Sequence, residues 1–165
     1  MMRLTLAALA ITLAGTAYAA DEKPEIQRPA SPAQAVGALH SLRTIPEACT
    51  RVQGQFTGNA ANPYDIAVVK SSGRCQPRAL MVELPESRNG TAVGWRLNDV
   101  VRVPSAACPG QQAVLRVWRH PGTIAPPKLD AQGRSRVYLQ DQMKAGQPAN
   151  LPKYALAFRI EGKGC

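Results

Sequence analysis

The run Ala113–Arg119 reads A-V-L-R-V-W-R, and its side chains alternate in character. Successive side chains of a strand point to opposite faces, so Ala113, Leu115 and Val117 fall on one side. Val114, Arg116, Trp118 and then His120 fall on the other. The first face is plain core. The second sets an aromatic ring among basic neighbours. The same period of two returns in short runs along the chain, and it restricts the fold to one built from strands. Thr50–Thr57 puts Val52, Gly54 and Phe56 on one face and Arg51, Gln53 and Gln55 on the other. Tyr64–Lys70 carries Ile66, Val68 and Val69, and Arg78–Leu84 carries Leu80, Val82 and Leu84. Thr91–Val103 reads as one bent strand or two, with Gly94 as the bend. There Trp95, Leu97, Asp99, Val101 and Val103 share a face, while Arg96, Asn98 and Arg102 point away. Ser135–Asp141 turns Val137 and Leu139 inward and Arg136 and Tyr138 outward. Tyr154–Glu161 turns Leu156, Phe158 and Ile160 inward and leaves Arg159 outward.

Turns separate these runs. Asn59–Pro63 is a turn by composition, and Pro85–Gly90 ends in Asn89-Gly90, a strong hairpin signal. Pro121–Gly133, with Pro126-Pro127, is a long irregular loop. One helix is expected near the start, where Ser31-Pro32-Ala33-Gln34 has the layout of a capping box with proline just inside. Val36, Leu39 and Leu42 extend it to about three turns, ending before Pro46 because proline restricts the residue before it. About seven short strands and one short helix predict a mainly β fold, a small disulfide-stapled β-sandwich or partly open β-barrel.

The four cysteines, Cys49, Cys75, Cys108 and Cys165, are an even count that reads as two disulfides in an exported chain. Three pairings are open. Cys49–Cys75 with Cys108–Cys165 is favoured, since the first closes a local pair of strands and the second ties down the last residue. Zinc sites usually show ligands paired a few residues apart. No two of these cysteines lie close, and His40 and His120 are far apart, so neither a metal nor another cofactor is expected.

Export is read from the start of the chain. Arg3 precedes an apolar run from Leu4 to Ala14, and Ala17-Tyr18-Ala19 supplies a small-residue cleavage site. Residues 1–19 are therefore expected to be a signal peptide, 20–30 a flexible leader, and 31–165 one mainly β domain. The apolar run is short for a membrane span, which needs ~20 residues, and nothing later in the mature chain is suited to cross a bilayer. The expected location is the periplasm or the exterior.

The chain carries a formal charge of +9, from 20 basic residues against 11 acids, and most of the basic residues are arginine. Arginine presents a planar fork to carboxylates and phosphates and stacks on rings. The expected partner is an anionic envelope polymer or a protein with an acidic surface; nucleic acid is not expected. Catalytic patterns are missing: no phosphate-cradling glycine loop, no nucleophile elbow, no paired-histidine zinc helix. His120 would need a nucleophile and an orienting acid that the sequence does not place. Glu83, Asp99, Asp130 and Asp141 form no informative carboxylate pair.

The outward set Arg51, Arg96, Arg102, Arg116, Trp118, Arg136, Tyr138 and Arg159 remains. Arg116 with Trp118, and Arg136 with Tyr138, each put a cation and a ring on one strand face, where they can stack a ligand and hold its anionic group. If those strands adjoin, the binding residues are Arg116, Trp118, Arg136 and Tyr138, with Arg96 and Arg102 beside them. The expectation is an exported, non-enzymatic binding module. The alternatives are an inhibitor or accessory subunit docking through the Pro121–Gly133 loop, and an envelope-polymer hydrolase.

Overall fold

The structure, a computed structural model, describes residues 22–84, 94–125, 128–129 and 131–165. The expected signal peptide and the Asn89-Gly90 hairpin turn lie outside the described residues. Two sheets make up the fold. In the first, β1 (His40–Ile45), β2 (Thr50–Asn59) and β3 (Asn62–Lys70) pair antiparallel in that order. The second contains β4 (Leu80–Met81), β5 (Arg96–Pro104), β6 (Gln111–His120) and β7 (Lys153–Gly162), in the order β4-β7-β6-β5. The sheets are not closed into a barrel.

The alternation seen in the sequence decides which faces meet. Leu42, Ile45, Val52, Phe56 and Tyr64 from the first sheet pack with Val101, Val103, Ala113, Leu115 and Val117 from the second. Leu156, Phe158 and Ile160 of β7 close over this core from the side. Tyr64 stacks on Phe158 at 5.3 Å, which sets β3 over β7. Arg43 reaching Asp99 sets β1 over β5.

The favoured disulfides are the ones present, Cys49–Cys75 and Cys108–Cys165. They span 26 and 57 residues. Loops of that size restrict the unfolded chain by roughly 3–4 kcal/mol each in the chain-entropy account. The first bridge links the start of β2 to the loop after β3. The second fastens the C-terminus to the β5–β6 connection, where Lys163 N–H also donates to Gly110 O.

Three expectations are corrected. The capping-box stretch from Ser31 is not helical. Residues 22–34 run extended along β5 as a strap: Glu25 N–H donates to Leu97 O, Ile26 to Asn98 O, Ser31 to Arg102 O and Gln34 to Pro104 O. Pro24, Pro29 and Pro32 suit an extended path. A short helix is marginal by itself, and here the backbone pairs with an open strand edge instead. The stretch read as a leader is thereby held against the domain from Glu22 onward.

The second correction concerns β5. Its irregularity lies between Leu97 and Asp99, not only at Gly94. One extra residue reverses the faces on either side of it. Leu97 therefore faces outward beside Trp118, whereas Asp99 turns into the core beside Val117. Third, residues 135–138 form no strand; they lead into α1 (Leu139–Lys144), whose first N–H donates to Pro77 O.

Candidate functional site

The outward face of the second sheet is written by its register. Leu97, Trp118 and Ala155 form one row, and Val100, Arg116 and Ala157 the next. Arg102, Val114 and Arg159 form the third row, and Pro104, Gln112 and Glu161 the fourth. One half of this face is apolar and the other basic. Trp118 sits in the apolar half, 6% exposed, with Leu97 and Ala155 and with Val82, Leu84, Trp95, Val100 and Ala157 packed around it. Its ring is occupied by protein, so it offers no open stacking surface.

The basic half is different. Arg102 and Arg159 flank the fully buried Val114, and Arg116 lies one row away. Glu161 is the acid among them. It accepts a hydrogen bond from Arg116 at 3.2 Å and another from Arg159. Burial alone would raise the Glu161 carboxyl, but the hydrogen bonds from Arg159 and Arg116 outweigh it and hold it below its ordinary value. Arg102 is exposed and has no acidic partner among the described residues. Arg116 and Arg159 thus share one internal carboxylate, Arg102 adds a third cation, and the face keeps an excess of positive charge.

The other residues expected in the patch lie elsewhere. Arg136 is exposed and Tyr138 half-buried in the segment leading to α1, without register to β6. The second arginine–aromatic pair therefore does not stand on a strand beside β6, because the strand assumed for it does not exist. Arg96 is exposed opposite Arg119, in a row where the side chains turn away from Trp118 and Arg116. Arg119 itself is bound to Glu25 of the strap at 2.6 Å. Sequence reasoning missed Glu161 as the acid of the patch. The alternation of β7 already turns it outward, but its pairing with Arg116 depends on strand order.

The strap is fixed by its own charges. Asp99, wholly buried, accepts from Arg28 Nε at 2.9 Å, and Arg43 Nε lies 2.9 Å away as an ion pair without hydrogen-bond alignment. Glu25 accepts from Arg119 and from the Asn98 amide, and these bonds lower its carboxyl to about 2. Asp99 is committed to two cations. His120 contacts Pro121 O through Nδ1 at 2.8 Å and meets Trp95 edge to face. Gly94 lies so close beneath the ring that a Cβ there would come within 2.5 Å of Nε2. All four cysteines are bonded, and no group of three or more metal-binding side chains occurs among the described residues. No helix among the described residues is long and apolar enough to cross a membrane. In comparisons with known proteins, no family model, no curated protein and no solved structure matches the chain.

Proposed function

We propose that this chain is an exported, non-enzymatic binding module that engages an anionic envelope component or an acidic protein surface through the arginine face of the second sheet. The observation carrying this reading is the arrangement of Arg102, Arg116 and Arg159 about Val114, with Glu161 as the acid of Arg116 and Arg159 only. The sheet register sets these arginines side by side, and planar guanidinium forks suit carboxylate and phosphate groups. Two disulfides are consistent with an oxidising compartment, and the leader pattern supports export.

Retention of the mature protein on its own cell-envelope fraction, followed across a salt series, tests the proposal. Retention is expected to fall steeply with salt, since exposed charge contacts are screened. The double variant Arg102→Ala, Arg159→Ala is expected to lose it at low salt while keeping its thermal transition. Retention that is indifferent to both salt and the double variant would remove the arginine face from the account.

A further inference from the structure

The two sides of the molecule are finished differently. Along β5 the strap from residue 22 covers the edge of the second sheet. Along β3, the edge of the first sheet, no described residue pairs on the side away from β2. Such a row of unpaired backbone groups is a template for another strand.

The side chains on that edge have a readable order. Ile66 stands opposite Gly54, Val68 opposite Val52 and Lys70 opposite Thr50, all on the face that carries buried Tyr64. Yet Ile66 is 37% and Val68 56% exposed, so the covering layer stops short of this edge. Lys70 is exposed beyond them. The edge therefore presents two apolar residues and then a cation at alternate positions on its core-side face.

We propose that β3 accepts an extended segment of a partner protein, added as a further strand. Two apolar side chains of that segment lie over Ile66 and Val68, and a carboxylate follows them beside Lys70. Backbone pairing supplies affinity in strand addition, and alternate side chains supply selection. Charge and parity argue against a second copy as the occupant. Two chains that each carry a large positive charge repel. A twofold pairing of β3 with itself also opposes only residues of like parity. Asp65, the acid of this strand, stands opposite Gln55 on the other face and never meets Lys70. The inference is separate from the arginine face, which belongs to the other sheet.

The test uses the full mature, oxidised protein and a labelled synthetic peptide. In the peptide two valines and a glutamate occupy every second position, with threonines between them; a control carries lysine for glutamate. The glutamate peptide is expected to bind roughly tenfold more tightly than the control. Val68→Asp should weaken it by about as much, and Lys70→Glu should invert the preference. Both positions are exposed, so an unchanged melting transition checks folding. Arg102→Ala should leave peptide binding intact, which separates failure of this inference from failure of the arginine face. Equal binding of the two peptides, or indifference to both variants, would overturn the proposal. So would a concentration-dependent dimer that Val68→Asp dissolves, since the occupant would then be a second copy.

Discussion

At the scale of single residues, Gly54 and Asp99 show how the inner faces are specified. The Tyr64 ring lies across Gly54, where any Cβ would collide with it, and its hydroxyl meets His40 Nε2 at 2.7 Å. The tyrosine thus spans β2 to reach β1, and burial pushes its phenol above the ordinary range. Gly54→Ala is expected to cost about 1–3 kcal/mol in chemical denaturation, because a buried ring must move. Tyr64→Phe, which loses one hydrogen bond and keeps the ring, should cost about 1 kcal/mol. A Gly54→Ala protein as stable as the parent would show that the ring has room to shift. Asp99→Ala leaves Arg28 and Arg43 facing each other across a buried site. A loss on the order of 3 kcal/mol is expected by the same measurement.

At the scale of elements, the strap joins the sheets through ionisable groups, and its docking therefore depends on pH. Hydrogen bonds from Arg119 and Asn98 lower the Glu25 carboxyl from 4.5 to about 2. A carboxyl depressed in the folded state contributes stability that is fully present above its unfolded value and is lost as pH falls through its folded value. The melting temperature is thus expected to drop between pH 4.5 and about 2. Glu25→Gln should flatten that dependence, and a carbon-detected titration of Glu25 should find its midpoint near 2. A midpoint near 4.5 would mean that the strap is not held by this pair in solution.

The strap also shows where the sequence stopped being readable. A capping pattern at Ser31–Gln34 is a local preference, and the open edge of β5 overrode it through contacts about seventy residues away. β6 was legible because its alternation is long and unbroken. Residues 135–138 alternate over too few positions to separate a strand from the approach to a helix. At Asn98 the bulge displaced the pattern by one, which carried Leu97 to the outer face. For the site, the outward direction of Arg102, Arg116 and Arg159 could be read strand by strand. Their neighbourhood could not, since it follows from the order β5-β6-β7. Trp118 alternates outward and so reads as available; the apolar cluster closing over it comes from the stretch after β4, from Trp95 and β5, and from β7.

At the scale of the whole molecule, one side of a two-layer fold is sealed by the strap, the opposite side ends in a strand that no described residue covers, and the outer face of the second sheet carries three arginines against one acid. A general excess of positive charge attracts any polyanion. On the proposed function, the place of the charge decides binding. The most direct measurement compares Arg102→Glu with Arg96→Glu in affinity for the cell-envelope fraction at low salt. Both residues are exposed and both changes alter net charge equally, but only Arg102 lies on the face with Arg116 and Arg159. The account predicts roughly a tenfold or greater loss for Arg102→Glu and little change for Arg96→Glu. Equal losses would contradict it, and would leave net charge alone as the cause of binding.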